Sequence, residues 1–160
     1  KNQRINIGFE ILACILSVGR NSRLVKVLKE EKNLVQSIYV DVNAGELGGL
    51  LIIETCCDEI HLKKVEEKIY EIIKEIASCK ILTLNELRKA INIVKSNYIF
   101  NLETSTQLTS FFGNELLWGR KNTLNDLNNH LDYWSNKNNF KEIINYLSRN
   151  KFTLIASTGK

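Results

Sequence analysis

The amino-terminal third of the chain shows the spacing of two helices. Apolar residues recur three and four positions apart between residues 5 and 16, and Gly19 then interrupts the pattern. In the segment that follows, leucines and valines alternate with lysines at helical spacing, and Asn21 or Ser22 is placed to cap it. This region therefore predicts a helix, a short loop with two arginines, and a second amphipathic helix.

The period then changes from helical to alternating. Residues 37–42 alternate between apolar and polar side chains, and residues 50–56 form a β-branched apolar run. The intervening residues 43–49 are rich in glycine and asparagine, which favour turns. These features predict an antiparallel β-hairpin.

Most of the remaining sequence is helical in pattern. An apolar stripe covers residues 62–77, and Thr83 with Glu86 forms a capping box that opens a long helix. The pattern blurs at residues 101–106 and resumes at Leu108. Two shorter helices and a closing strand are predicted at Leu124–Trp134, Phe140–Leu147 and Phe152–Ala156.

This order of elements predicts an α+β fold, with helices packed on one face of an antiparallel sheet. Three strands make a small sheet for so many helices, so we expect the first strands of the sheet to precede Lys1. The chain has no methionine. We therefore expect residues 1–160 to be a single domain and a piece of a longer polypeptide.

Composition excludes several classes of protein. No apolar run approaches the roughly 18 residues that span a bilayer, so we expect no membrane partner. The formal charge is +4, and residues 1–40 hold seven lysines and arginines against three glutamates. This charge is too weak and too dispersed to predict a nucleic-acid partner.

The four cysteines do not resemble a disulfide framework in a chain of this length. Cys14 lies in an apolar helical run, and Cys56 and Cys57 are neighbours at a predicted strand. We interpret these three, together with Cys79, as buried or half-buried thiols in a reducing compartment. The predicted location is the cytoplasm.

Candidate catalytic groups are sparse. His61 and His130 have no second histidine at the spacing of a zinc-binding helix, so we expect no metal site in this chain. His61 instead fits a helix start that Asp58 could cap, and His130 fits a surface or packing position. The sequence also contains no nucleophile elbow, Cys-x-x-Cys motif or phosphate-binding loop, so we predict no catalytic residue.

Two other features have alternative interpretations. The loop around Arg20 and Arg23 could bind an anion at a helix start, or its arginines could pair with nearby carboxylates, which we favour. The aromatic pairs Phe111–Phe112 and Tyr133–Trp134 fit core or interface packing better than base stacking.

The motifs taken together resemble a known family. Leu16–Leu24 (LSVGRNSRL) is similar to Leu-Gly-Gly-Gly-Arg-Ser-Ser-Arg-Leu, and Leu28–Gln36 (LKEEKNLVQ) to Leu-Arg-Glu-Glu-Lys-Gly-Leu-Ala-Tyr. Thr83–Ala90 (TLNELRKA) is similar to Thr-x-x-Glu-Leu-x-x-Ala. These patterns, in this order, are typical of the second, non-zinc-binding repeat of the insulinase/pitrilysin zinc peptidases, which include the mitochondrial processing peptidases.

The resemblance implies a peptide chamber formed by two halves, with zinc held by a His-x-x-Glu-His motif in another repeat. The implied partners are a peptide or unfolded polypeptide substrate and a zinc-bearing repeat or subunit; homo-oligomers are left open. In many members a partner half supplies an arginine and a tyrosine that position the scissile peptide. Those positions fall on Lys29 and Gln36, which we therefore expect to bind substrate, although both residue types differ.

Three functions follow as hypotheses. The first is a non-catalytic domain of an insulinase-like zinc metallopeptidase that lines the chamber and packs against a zinc-bearing repeat. The second is an inactive family member that binds peptides or a subunit as a scaffold, which the altered residues at Lys29 and Gln36 motivate. The third, which we disfavour, is an anion- or nucleic-acid-binding module that uses Arg20, Arg23, Lys26 and Lys29.

Overall fold

The structure is a computed structural model and describes residues 3–45, 48–78, 82–117, 119, 124–149 and 153–157. Helix α1 is followed by a π-helical segment, two strands, a 3₁₀ turn and five further helices. In chain order these are α1 (Gln3–Ser17), the π-helical segment (Val25–Glu31), β1 (Ser37–Ala44), β2 (Gly49–Cys56), the turn (Glu59–His61), α2 (Leu62–Ala77), α3 (Leu84–Phe100), α4 (Ser105–Leu117), α5 (Leu124–Ser135) and α6 (Lys137–Arg149).

Helix α1 is the centre of the molecule. Every residue from Ile11 to Leu16 is buried, and the helix contacts β1, α3, α5 and α6. A helix that is apolar around most of its circumference is stable only inside the protein, because any exposed side would leave apolar area in water. The predicted first helix is confirmed.

The contact between α1 and the carboxy-terminal helices is close. A Cβ atom added to Gly8 would lie 2.5 Å from the Ile143 side chain and 3.0 Å from the Trp134 ring. Trp134 is fully buried, donates from Nε1 to the Arg4 carbonyl oxygen at 2.6 Å, and packs edge-on against Tyr133. The predicted packing role of Tyr133–Trp134 is confirmed.

The hairpin is antiparallel, with Ser37 opposite Cys56 and Ala44 opposite Gly49. Ile38 belongs to the hydrophobic core and Val40 packs against it, whereas the intervening Tyr39 is 66% exposed. This alternation matches the two-residue period of the sequence and turns one face of the hairpin towards α1.

The predicted closing strand is wrong for the residues that the structure describes. Residues 153–157 form no strand, and Leu154 and Ile155 are exposed; Phe152 lies outside the described residues. The described sheet has two strands, with the helices against one face, in agreement with the predicted α+β class. A β-branched run becomes a strand only where a neighbouring edge supplies hydrogen bonds, and the sequence pattern cannot show that edge.

The later helices follow the prediction closely. α2 has the predicted bounds, and the predicted capping box of α3 is present, with Thr83 and Glu86 bonded in both directions. α4 begins with a second cap that the prediction missed. The Thr104 hydroxyl accepts from the backbone N–H of Gln107 at 3.2 Å and donates to Gln107 Oε1 at 2.8 Å.

Three of the four cysteines are in described residues, and all three are free. Cys14 is buried and Cys57 half-buried, as predicted, but Cys56 is exposed. Cys56 ends β2, where the sheet gives it no cover. The prediction for Cys79 lies outside the described residues.

Candidate functional site

The second helix is wider than the sequence predicts. Val25–Glu31 is a π-helical segment, and the Lys32 amide donates to the Val27 carbonyl oxygen, five residues back, at 3.2 Å. π-Helical turns are rare and are frequent at functional sites, because an additional residue in the turn changes which side chains face outward. Apolar spacing alone does not distinguish this geometry from an α-helix, so sequence reasoning missed it.

Asn33 ends this segment in a left-handed conformation, with φ at 46°. The Leu34 amide then donates to the Leu28 carbonyl oxygen at 2.7 Å, which closes the wide last turn. Asparagine adopts this conformation more readily than most residues do, and glycine adopts it without penalty. The family pattern quoted above has glycine at this position, so the backbone explains that part of the resemblance.

The two predicted substrate-binding residues lie on either side of the Asn33 turn. Lys29 is exposed on the π-helical segment, and Gln36 is exposed immediately before β1. The Gln36 amide donates to the Cys56 carbonyl oxygen at 2.8 Å, and the Cys56 thiol donates to Gln36 Oε1 at 3.8 Å. Both side chains are therefore accessible to a ligand, and their role in binding remains a prediction.

Gln36 lies beside an exposed surface that the sequence analysis did not single out. We define the hairpin outer face as the residues of β1 and β2 that point away from the core. Leu50 is 65% exposed there, similar to Tyr39, and the face combines apolar with acidic side chains. The sequence did contain an indication of this surface, because the two strands carry large apolar residues on both faces. Its large apolar and acidic members are Tyr39, Asp41, Leu50, Ile52 and Glu54.

The arginines of the loop are engaged with carboxylates, as favoured above. Arg20 Nη2 donates to Glu30 at 3.0 Å, and Arg23 donates from Nε and Nη2 to the two oxygens of Glu86 at 2.8 and 3.0 Å. The Ser22 hydroxyl donates to the Gly19 carbonyl oxygen at 2.7 Å, so it closes the loop and does not cap the helix as predicted. Because Glu30 and Glu86 neutralise the two guanidinium groups, the loop offers little positive charge to a bound anion.

The disfavoured nucleic-acid hypothesis loses support for the same reason. Lys26 Nζ lies 3.8 Å from Glu31 Oε1, and Arg20 and Arg23 form the ion pairs described above. Of the four residues named for that function, Lys29 alone forms no ion pair with another described residue.

Two carboxyl groups have altered acidities with opposite signs. Burial raises the pKa of Glu10 to about 6, although its carboxylate accepts hydrogen bonds from Tyr98 at 3.2 Å and Asn6 at 2.9 Å. Burial also acts on Glu86, but the hydrogen bonds from Arg23 and Thr83 outweigh it and lower its pKa. Sequence patterns did not indicate that Glu10 is half-buried.

Neither histidine belongs to a metal site in the described residues. His61 ends the turn before α2, where Asp58 accepts only through its backbone, so the predicted side-chain cap is not formed. His130 is half-buried on α5. Burial is the main cause that lowers the pKa of its imidazole, and the positive charge of nearby Arg4 lowers it further. Within the described ranges, no three histidine, cysteine, aspartate or glutamate side chains converge, so these residues do not fit a zinc ion.

An open groove runs along α3. Asn85, Arg88, Asn92 and neighbouring residues line it, and neither Lys29 nor Gln36 is among them.

No helix in the described part of the chain has both the length and the apolar character to cross a membrane.

Comparison with known proteins supports the resemblance. The sequence profile described as the peptidase M16 inactive domain matches residues 1–94. The chain is 31% identical over 144 residues to the uncharacterized zinc protease YmxG of Bacillus subtilis (strain 168). This match covers 89% of the chain but 34% of YmxG, so the chain spans about a third of this relative.

Solved structures share the fold. A superposition with the inactive peptidase domain of a proposed zinc protease from Bordetella parapertussis has a TM-score of 0.76 at 13% identity, and covers 88% of this chain and 76% of that one. A protease from Helicobacter pylori gives 0.69 at 20% identity, covering 89% and 34% of the two chains. The profile match covers more than half of the sequence, and the chain therefore belongs to the M16 peptidase family, of which it is an inactive peptidase domain.

Proposed function

We propose that this chain is the non-catalytic domain of an M16 zinc metallopeptidase, where it lines the peptide chamber and packs against a zinc-bearing repeat. Zinc would be held by that repeat, since the described residues here do not fit it. The substrate class is a peptide or an unfolded polypeptide. The chain's contribution is to bind and orient the substrate backbone, not to activate water.

One observation carries this proposal. The π-helical segment and the Asn33 turn present Lys29 and Gln36 to solvent, and Gln36 adjoins the hairpin outer face. An ammonium and a primary amide are suitable donors for peptide carbonyl oxygens, and the amide oxygen can accept from a peptide N–H. Exposed Tyr39 and Leu50 add apolar contact for substrate side chains.

Steady-state kinetics of the complete peptidase tests this role. Lys29→Ala and Gln36→Ala should each raise KM by roughly fivefold to tenfold with kcat little changed, because each removes a hydrogen bond made equally in the ground and transition states. Bound zinc should stay the same. The matched control is Lys63→Ala, which removes an exposed lysine of α2. A fall in kcat without a change in KM would contradict a binding role.

The scaffold hypothesis is the second candidate, and the residue types at Lys29 and Gln36 favour it. Lysine lacks the planar guanidinium fork and glutamine lacks the phenol of the family pattern, so both peptide-positioning groups are altered. In that case the complete protein would bind peptides without hydrolysing them, and its other repeat would lack the His-x-x-Glu-His motif. An intact motif with peptidase activity would reject this alternative.

We also place the protein in the cytoplasm. The described cysteines Cys14, Cys56 and Cys57 are free thiols, as expected in a reducing compartment. Fractionation of cells that produce the protein at its natural level would test this location, and recovery outside the cytoplasm would contradict it.

A further inference from the structure

Helix α4 stands apart from the hydrophobic core. Its 13 residues include no buried side chain among those described, and none of its members belongs to the core cluster or packs against it. Every other long helix, from α1 to α6, contributes residues to that cluster. α4 is nevertheless well specified, since the Thr104–Gln107 capping box fixes its first turn.

The exposed side of α4 is strongly apolar. Leu108, Phe112 and Leu116 follow one another at intervals of four residues and so form one stripe, with Phe111 beside it. Phe112 is 44% and Leu116 75% exposed, and the rings of Phe111 and Phe112 contact edge to face at 5.3 Å. We call Leu108, Phe111, Phe112 and Leu116 the α4 stripe.

Further exposed apolar residues precede α4 in the chain. α3 ends only a few residues before α4 begins, and its last two residues, Ile99 and Phe100, are 53% and 61% exposed. Glu115 is the single charged residue in the sequence of α4. A stripe of exposed apolar side chains with little charge marks a surface that another protein surface covers.

We infer that the α4 stripe is the docking surface for the zinc-bearing domain of the same peptidase. This inference rests on the proposed function and names the surface through which the two domains associate. Core or interface packing was predicted for Phe111–Phe112. Neither ring belongs to the core, so the interface alternative is the one that this docking surface explains, and the exposed Ile99 and Phe100 would extend the contact.

The length of related proteins supports this occupant. The chain spans 34% of YmxG and 34% of the Helicobacter pylori protease. Relatives of this kind therefore carry about twice as much chain outside the matched region. A surface with little charge fits a permanent neighbour of the same protein better than a transient charged partner.

Site-specific photocrosslinking in the complete protein tests the inference. A benzoylphenylalanine residue at position 112 should crosslink to a peptide from the domain that carries the His-x-x-Glu-His motif, as identified by mass spectrometry. The same probe at Ser110, on the opposite side of α4, should give at least about tenfold less of that product. Crosslinking to a second copy of this chain, or no crosslinking at position 112, would overturn the inference.

Substitution provides a second measurement. Phe112→Asp should weaken association with the zinc-bearing domain at least about tenfold, while the melting temperature of the isolated chain stays unchanged, because this ring does not join the core. Ser110→Asp adds the same charge to the other side and should leave association unchanged. Full association of Phe112→Asp, with the KM effects of Lys29 and Gln36 intact, would refute the docking surface and leave the proposed function standing.

Discussion

Arg23 holds Glu86 with two parallel hydrogen bonds across 63 residues of sequence. The same carboxylate accepts from the Thr83 amide at 2.9 Å and from its hydroxyl at 2.7 Å. One glutamate therefore caps α3 and anchors the loop that leads into the π-helical segment. Because that segment carries Lys29, this ion pair positions the candidate binding surface relative to α3.

The pair should contribute measurably to stability. In a double-mutant cycle with Arg23→Ala and Glu86→Ala, we expect a coupling of about 1–2 kcal/mol in the free energy of unfolding, because the geometry is bidentate and both side chains are partly buried. Arg20–Glu30 is the matched control, since Arg20 is 85% exposed, and its coupling should not exceed about 0.5 kcal/mol. Equal couplings in urea titrations would refute this ranking.

Glu10 should make stability depend on pH. Its folded pKa is about 6 against an ordinary value of 4.5, so its stabilising contribution is complete below about pH 4.5 and is lost as the pH rises through about 6. The groups that act on it are Tyr98, Asn6 and Asp41. The free energy of unfolding of the wild type, minus that of Glu10→Gln, should be about 1–2 kcal/mol larger at about pH 4 than at about pH 7.5.

Glu86 provides the control of opposite sign. Its folded pKa is lowered, so its contribution is present above the ordinary value of 4.5 and is lost as the pH falls through the folded pKa. Relative to Glu86→Gln, the wild type should therefore lose stability on acidification. Urea unfolding of both variants at several pH values checks this, and parallel profiles would show that the assigned environments are wrong.

The left-handed turn at Asn33 should depend on the residue type. Asn33→Ala should cost about 1 kcal/mol of stability, since alanine is strained at positive φ, whereas Asn33→Gly should cause no loss. Asn101, which ends α3 at a φ of −70°, is the matched control, and Asn101→Ala should be nearly neutral. Equal effects of alanine at both positions in thermal denaturation would contradict the turn geometry.

Two helical glycines should respond oppositely to alanine. Gly8→Ala should destabilise by about 1–3 kcal/mol, because the new methyl group would meet the buried Ile143 side chain. Gly113 has open space around the same position on α4, so Gly113→Ala should stabilise by about 0.5–1 kcal/mol. A stabilising Gly8→Ala would show that α1 and α6 do not approach as closely as described.

Local sequence patterns predicted most helices and strands but not the long-range contacts between them. The α3 cap, the hairpin and the core helix α1 depend on neighbouring residues, so the sequence shows them directly. The π-helical segment depends on one additional residue in a turn. A strand at Leu154 and Ile155, which does not form, would depend on a partner edge. For the candidate site, the resemblance indicated Lys29 and Gln36. The hairpin outer face and the half-buried Glu10 could be recognised only from the three-dimensional packing.

Zinc content and peptide hydrolysis, measured together, test the central proposal most directly. The purified chain should contain no stoichiometric zinc and hydrolyse no peptide, and addition of the zinc-bearing domain should restore hydrolysis to the level of the complete peptidase. Lys29→Ala and Gln36→Ala should raise KM in that reconstituted mixture. Tight binding of one zinc ion by this chain alone, together with peptide hydrolysis, would contradict its assignment as the non-catalytic domain.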